Sequence, residues 1–162
     1  GEIDIDTAYE KFQNLKESDY PTWLKDVGLL LMCGCYAALY GATLLEMFVA
    51  GIAAIVLPFV YKLDVKLGLG MFITNLVSII PIVIIICFLQ ANVFPSIHIG
   101  IPIIGAIMPA VPGTAITNAI RDTLRGDYNS GTARAVEAAV TALSISIAVA
   151  IGLLIGGGVN PL

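Results

Sequence analysis

Two long stretches of this sequence contain no Asp, Glu, Lys or Arg: residues 67–120 and residues 138–162. Apolar runs of more than about 20 residues are typical of helices that cross a lipid bilayer, because charged side chains are expensive to place in hydrocarbon. The whole chain is 58% hydrophobic and only 12% charged, about half the charge of an average soluble domain. The sequence therefore predicts an all-α integral membrane protein.

Glycines, prolines and charged residues divide the apolar sequence into five predicted transmembrane helices. These cover approximately residues 24–40, 44–61, 67–89, 97–120 and 133–155. The first two are short for a hydrocarbon core of about 30 Å crossed at about 1.5 Å per residue. Together the five helices predict a single membrane unit over residues 23–162.

The region before the first span, residues 1–22, has a different character. Three apolar residues recur there at helical spacing among charged ones: Ala8, Phe12 and Leu15. This pattern predicts a short amphipathic helix on the cytoplasmic face, followed by an interfacial turn that ends near Trp23. A plain juxtamembrane linker is the alternative.

Because the sequence begins with Gly1 and not with Met, we expect it to be a processed or trimmed piece.

All eight basic residues lie in alternate connections between the five predicted spans, and therefore on one side of the membrane. They precede span one, separate spans two and three, or separate spans four and five: Lys11, Lys16, Lys25, Lys62, Lys66, Arg121, Arg125 and Arg134. Basic loops mark the cytoplasmic side, which predicts a cytoplasmic N-terminus and an outside C-terminus. A five-span unit of this kind can pair with a second of inverted topology. The chain contains no internal repeat, so that unit would be another polypeptide or a missing half.

The fourth span contains a proline-glycine break in its middle, from Pro109 to Pro112 and Gly113. Each proline removes an amide donor and clashes with the preceding turn. Counted from Ile97, the break lies about 18 Å along the helix, near the bilayer midplane. Freed backbone at that depth must be buried in protein or line a wet cavity. The sequence therefore predicts a broken helix beside a cavity, with an ordinary proline kink as the alternative.

A polar stripe with helical spacing follows the break. Its members are Thr114, Thr117, Asn118, Arg121, Asp122 and Arg125. The half-helix that carries them would point its N-terminus at the membrane interior, where free amides and the positive end of the dipole suit a carboxylate. Broken helices directed at anionic substrate groups recur in secondary transporters.

The fifth span carries a complementary polar face at its inner end, formed by Arg134, Glu137, Thr141 and Ser144. The same face continues as a seam of small residues that favours close helix packing: Ala148, Gly152 and Gly156. An acid within a span needs a partner. Arg134 is the obvious local partner of Glu137, and Arg121 and Asp122 are alternatives. Asp122 or Glu137 could exchange protons or contact substrate; a purely structural ion-pair network is the competing interpretation.

Other polar residues within the spans give weaker signals. Thr74, Asn75 and Ser78 share one face of span three and either line the same cavity or form ordinary interhelical hydrogen bonds. Glu46 is expected at the outer interface. His98 could sense pH near the outer surface, although the simpler expectation is that it has no functional role.

The composition also argues against other classes of protein. The three cysteines lie within predicted spans without a nearby histidine or acid, so they are interpreted as packing residues and no metal site or cofactor is expected. No nucleophile with an orienting base is visible, which argues against an enzyme. Nothing suggests nucleic-acid binding. The partners expected are the bilayer, a small-molecule solute and further subunits of a hetero- or homo-oligomer.

Residues 109–139 resemble the signature of the threonine/serine exporter family. The resembling elements are the Pro-Gly at 112–113, the Asn-Ala-Ile-Arg-Asp at 118–122, the Gly-Asp-Tyr at 126–128, the Ser-Gly at 130–131, Arg134 and Glu137. The resemblance implies a half-transporter: a larger five-helix unit working with a smaller one, exporting threonine and serine, or succinate in two-subunit systems, driven by the proton gradient.

The combined hypothesis is therefore the larger half of a proton-coupled exporter of small carboxylate-bearing solutes in a prokaryotic cell membrane. Seven residues are expected to contact substrate: Pro112, Gly113, Thr114, Thr117, Asn118, Asn75 and Thr141. Four are expected to couple protons or form ion pairs: Asp122, Glu137, Arg121 and Arg134. A succinate exporter subunit and a non-transporting membrane scaffold are the alternatives.

Overall fold

A computed structural model describes residues 20–157, and all regular structure in this part of the chain is helical. We number the α-helices α1 to α7 in chain order. They are α1 Thr22–Leu39, α2 Leu44–Ala53, α3 Val56–Leu67, α4 Met71–Asn92, α5 Gly100–Ile107, α6 Gly113–Leu124 and α7 Tyr128–Gly156, with a 3₁₀ turn at Met108–Ala110 between α5 and α6. The amphipathic helix expected before Tyr20 lies outside the described residues.

The expected all-α membrane architecture is confirmed. Four helical segments are long and apolar enough to cross a bilayer: Thr22–Leu39, Leu44–Leu67, Met71–Asn92 and Tyr128–Gly156. A fifth span results if the bent pair Gly100–Ala110 and Gly113–Leu124 crosses as one unit. The side of the membrane on which each terminus lies stays a prediction.

The boundary expected between spans two and three was wrong. Span two does not end near residue 61 but continues through α3 to Leu67, after a short irregularity between α2 and α3. Span three starts at Met71 because Gly68 and Gly70 adopt left-handed φ values of 62° and 78°, which end one helix and separate it from the next. Lys62 and Lys66 therefore lie on the last turns of a helix and not in a loop.

The start expected for span five was also wrong, since α7 begins at Tyr128 and not near residue 133. Asp127 caps the helix by accepting a hydrogen bond from the Ser130 amide at 3.1 Å. Gly131 is buried within α7. A Cβ atom there would lie only 3.1 Å from the Thr123 amide nitrogen. The glycine therefore allows α6 and α7 to form a close hairpin.

The centre of the structure is the contact between α4 and α7, which run parallel. A Cβ atom on Gly152 would meet the Val83 Cβ at 2.6 Å, and one on Gly156 would meet the Cys87 Cβ at 2.9 Å. The two close approaches occur four residues apart on both helices and in the same order, which establishes the parallel direction. The seam of small residues expected on span five is thus a helix-packing surface.

Helices α2, α3 and α5 also contact α4, while α1 packs on α2 and α5. Helices α1 and α2 form an antiparallel pair with close approaches of Gly34 to Met47 and of Gly51 to Leu30. Helix α5 packs against α1, where a Cβ on Gly105 would lie 2.6 Å from the Ala37 Cβ. The first half of span four is therefore fixed among the other helices before the chain reaches the break.

Candidate functional site

The fourth span is interrupted at the place that the sequence predicts. Helix α5 gives way to the Met108–Ala110 3₁₀ turn, and α6 starts at Gly113 in a direction that differs by 56°. Pro112 precedes α6 with φ −79° and ψ 51°, and no side chain caps the helix. A proline at this position has no amide to donate, so the helical ladder cannot continue through it.

The break leaves amide donors at the start of α6. The Gly113 amide donates to the Val111 carbonyl at 2.8 Å, and the Ile116 amide donates to the Pro112 carbonyl at 3.1 Å. Between them, the amides of Thr114 and Ala115 have no acceptor among the described residues. Because Thr114 is exposed, a ligand carboxylate could approach these donors at the positive end of the helix dipole.

The exposed threonines of the polar stripe of α6 face away from α7, whereas Asp122 of the same stripe contacts it. The helix packs on α7 through its other side, where Ala119 is buried and Thr123 meets Gly131. Thr117 and Arg121 on the stripe are exposed, and Asn118 is half-buried. The Thr117 hydroxyl donates to the Gly113 carbonyl at 2.9 Å, which leaves its oxygen able to accept a hydrogen bond.

Asp122 joins the two helices of the hairpin through arginine. Its Oδ2 lies 3.0 Å from the Arg134 Nε on α7, and its Oδ1 lies 3.5 Å from the Arg121 Nε on α6. The Asp122 side chain is 15% exposed, whereas both arginine side chains are about half exposed. The ion-pair network considered from the sequence is thus present, with Asp122 at its centre.

The local pair expected between Arg134 and Glu137 was wrong, because Arg134 pairs with Asp122 across the hairpin instead. The Glu137 carboxylate is exposed and forms no ion pair with any described residue. It borders an open depression of about 350 Å³ together with Ser130, Ala133 and Arg134. The Glu137 carboxylate is therefore accessible to solvent, while the Asp122 carboxylate is engaged by two arginines.

A second polar cluster lies in the α4–α7 contact. The Asn75 Nδ2 donates to the Ser144 Oγ at 2.8 Å, and the Ser144 hydroxyl donates to the Thr141 carbonyl at 2.7 Å. Thr141 donates in turn to the Glu137 carbonyl at 2.8 Å. Asn75 and Thr141 are 4% and 3% exposed. Asn75 is thus linked to Thr141 through Ser144, by one hydrogen bond between helices and one within α7. The polar stripe on α6 is not part of this chain of bonds.

One hydroxyl in this cluster has no partner. The Thr74 Oγ1 is buried and makes no hydrogen bond with any described residue. The Ser78 hydroxyl beside it is satisfied within its own helix by the Thr74 carbonyl at 2.7 Å. Buried polar atoms of this kind are uncommon, so this part of the α4–α7 contact retains unused hydrogen-bonding capacity.

A buried carboxylate was missed in the sequence. Glu46, expected at the interface, is only 2% exposed. Its Oε2 accepts from the Thr43 amide at 2.8 Å and the Thr43 hydroxyl at 3.0 Å, and its Oε1 accepts from the His98 amide at 2.9 Å. The Thr-x-x-Glu spacing at residues 43–46 is a capping-box signal that could have revealed the first part of this arrangement. The contact with His98 depends on the tertiary structure.

Outside the spans, the α6–α7 loop contains one carboxyl with a shifted pKa. Hydrogen bonds from the Ser130 hydroxyl and backbone amide lower the pKa of Asp127 below its usual value. Accepting such bonds stabilises the charged form. The shift therefore reflects helix capping and does not mark a proton-transfer site.

Metal-binding groups are not clustered in the described part of the chain, where no three His, Cys, Asp or Glu side chains come together. Cys33 and Cys87 are buried as packing residues, in agreement with the sequence interpretation, whereas Cys35 is exposed. The polar features that could bind a ligand are therefore the break, the stripe on α6 and the acids of the hairpin.

Comparison with known proteins gives one family. The family model described as "Putative threonine/serine exporter" (ThrE) matches residues 1–156, which is nearly the whole chain. The match includes the break, the α6 stripe and the α6–α7 hairpin. Comparisons with curated proteins and with solved structures found no match.

Proposed function

The chain belongs to the threonine/serine exporter family, and from that premise we propose that it is the larger half of a proton-coupled secondary exporter of small carboxylate-bearing solutes. A second five-helix unit of inverted topology completes the transporter, either as another polypeptide or as the other half of a longer one. The complex is a multi-pass protein of a prokaryotic cell membrane. The observation that carries the proposal is the interrupted fourth span, with the free amides of Thr114 and Ala115 at the start of α6.

The break supplies the groups that an amino acid needs. The substrate carboxylate accepts hydrogen bonds from the Thr114 and Ala115 amides, while the Asn118 carboxamide orients it from the next turn. The Thr117 oxygen can accept a bond from the substrate ammonium or hydroxyl group. Pro112 and Gly113 contribute through the backbone geometry that keeps these donors out of the helical ladder.

A partner unit is supported by the exposure of the stripe. Thr114, Thr117 and Arg121 are uncovered by the described residues, yet they belong to a span that would cross hydrocarbon. Polar side chains at that depth require a protein neighbour or a water-filled cavity. A second unit placed against this side of α6 would enclose the stripe and form the opposite wall of the transport pathway.

The two acids of the hairpin suit different roles. Asp122 is engaged by Arg121 and Arg134, so its main contribution is to hold α6 against α7. Glu137 is exposed and without a cationic partner among the described residues, so its carboxylate can exchange protons with water or approach a substrate. We assign proton coupling to Glu137 in preference to Asp122.

Threonine counterflow in proteoliposomes that contain both units tests the substrate assignment. The variant Asn118→Ala should reduce exchange at low threonine concentration, since it removes a side chain that orients the carboxylate. Asn129→Ala is the matched control, because Asn129 is exposed on the first turn of α7 and outside the stripe. Equal exchange by the two variants would contradict the binding role of Asn118.

Transport driven by a pH gradient tests the coupling assignment. Glu137→Gln should abolish the response to the gradient while leaving threonine counterflow measurable, because exchange at equilibrium does not need net proton movement. Asp122→Asn should lower protein stability and both transport modes together. Gradient-driven export that survives in Glu137→Gln would remove this residue from the coupling mechanism.

A succinate exporter subunit is the alternative within the same class. The exposed Arg121 guanidinium on the stripe could pair with the second carboxylate of a dicarboxylate, since arginine binds carboxylates in a planar, two-point geometry. Competition of succinate against labelled threonine distinguishes the two substrates. If the assembled units bind each other but exchange neither solute, the scaffold interpretation is correct.

A further inference from the structure

An open groove of about 550 Å³ lies between α1 and α3 and is lined by three lysines. Lys25 lines it from the first turn of α1, while Lys62 and Lys66 line it from the last turns of α3. We propose that this groove is a binding site for the headgroup of an anionic phospholipid. The proposed exporter function does not involve this surface.

The charge of the groove suits a phosphate group. Asp26 is the single acid that lines it, and this carboxylate is already paired with Lys62. Lys25 and Lys66 have no carboxylate partner among the described residues. The neighbouring Asp64 lies two positions from Lys62 and two from Lys66, on the opposite side of the helix. Counted over residues 20–157, the groove therefore keeps two positive charges without a carboxylate partner.

The shape and the other lining residues suit a lipid in particular. Leu29, Pro58, Tyr61 and Val65 form an apolar wall beside the lysines. Val65 is 88% exposed, so the wall offers open apolar surface at the same level as the lysines. A phosphate ion in water would use the lysines alone, whereas a phospholipid uses both the basic and the apolar parts.

The position of the groove along the helices agrees with a headgroup site. Trp23 precedes Lys25 by two residues and is 63% exposed. Exposed tryptophans at the ends of transmembrane helices lie at the level of the lipid headgroups. Basic pockets between transmembrane helices at this level are sites at which anionic headgroups bind. The lysines of the groove are thus at the depth where phosphates are present.

The tryptophan also provides the measurement, because it is the single tryptophan of the chain. The full-length protein is reconstituted in vesicles of phosphatidylcholine with a small fraction of phosphatidylglycerol, and one of the two lipids carries brominated acyl chains. Brominated phosphatidylglycerol should quench Trp23 fluorescence more than its mole fraction predicts. Added glycerol phosphate, which has no acyl chain, should not displace it.

Two variants give the decisive comparison. Lys25→Gln with Lys66→Gln should lower the preference for phosphatidylglycerol by about fivefold for each lysine removed, and Lys25→Arg with Lys66→Arg should retain it. Arg125→Gln removes an exposed positive charge outside the groove and should have no effect. An unchanged preference in the glutamine variant, an equal loss in Arg125→Gln, or full displacement by glycerol phosphate would overturn the proposal. Circular dichroism confirms that each variant is folded.

Discussion

The Nε atom of Arg134 lies 3.0 Å from the Oδ2 atom of Asp122, and this pair joins the second half of the broken span to the last helix. Only residues 125–127 separate α6 from α7, so the hairpin is held at its loop end by a charge-assisted contact. The bend at Pro112 leaves α6 without a continuous helix to support it. Its orientation therefore depends on α7.

This relationship predicts a measurable coupling between the two side chains. Asp122→Asn and Arg134→Gln should each lower the free energy of unfolding, and the double variant should recover about 1 kcal/mol relative to their sum. The value is modest because the Arg134 side chain is 45% exposed and solvent screens the pair. The matched cycle of Asp122→Asn with Arg125→Gln should show no coupling. Thermal unfolding in detergent provides the measurement.

The α4–α7 contact should be intolerant of added volume. Gly152→Ala places a Cβ 2.6 Å from the Val83 Cβ, and overpacking of this kind lowers stability by about 1–3 kcal/mol. Gly157→Ala is the control, since a Cβ at that position would meet no other helix of the described structure within 4 Å. Both substitutions are compared by thermal unfolding in the same detergent. A stability of Gly152→Ala equal to that of the control would mean that the helices pack differently.

The buried hydrogen bond between Asn75 and Ser144 should contribute less to the free energy of unfolding than its burial suggests. Hydrogen bonds between transmembrane helices average about 0.6 kcal/mol because the unfolded state in the membrane also finds partners. A double-variant cycle of Asn75→Ala and Ser144→Ala should return a coupling near that value. Threonine counterflow by Ser144→Ala should remain close to wild type if the cluster is structural. A loss of affinity for threonine would instead place the cluster in the transport pathway.

The stability of the protein should depend on both carboxylate oxygens of Glu46. Glu46→Gln replaces an oxygen that accepts from Thr43 or from the His98 amide, and leaving such a donor unsatisfied lowers the free energy of unfolding by about 1–3 kcal/mol. His98→Gln should have a smaller effect because the backbone amide, which makes the 2.9 Å bond, is retained. The reverse order of stability would show that the contact is dominated by the His98 imidazole, whose Nδ1 lies 3.4 Å from the Glu46 Oε1.

The cap of α7 should give the hairpin a pH-dependent stability at acid pH. Because Ser130 lowers the pKa of Asp127 in the folded state, the stabilisation is complete above the unfolded pKa and is lost as pH falls through the lower folded pKa. Asp127→Asn should keep the cap at neutral pH while removing this acid dependence, since asparagine is also a good N-cap. Unfolding midpoints recorded between about pH 2 and pH 6 provide the comparison. A dependence that persists in Asp127→Asn would assign it to other carboxyls.

The sequence predicted those features that follow from local chemistry. Runs without charge identify membrane helices whatever their neighbours are, because lipid excludes charge from each helix separately. The break at Pro112 is equally local, since proline removes an amide donor in any surroundings. The predicted helix boundaries were less accurate where capping residues decide them. With Asp127 as its cap, α7 begins earlier than hydropathy indicates, and the glycines after Leu67 delay the start of α4.

The tertiary structure alone decided which polar groups meet. Sequence spacing placed Arg134 beside Glu137 on one helix face. The packing of α6 on α7 brings Asp122 closer to Arg134, which therefore pairs with Asp122 instead. It likewise buried Glu46 against the His98 amide, 52 residues away in the chain. Helical periodicity determines the face on which a side chain lies, whereas the partner opposite that face depends on how helices cross and on where glycines let them approach.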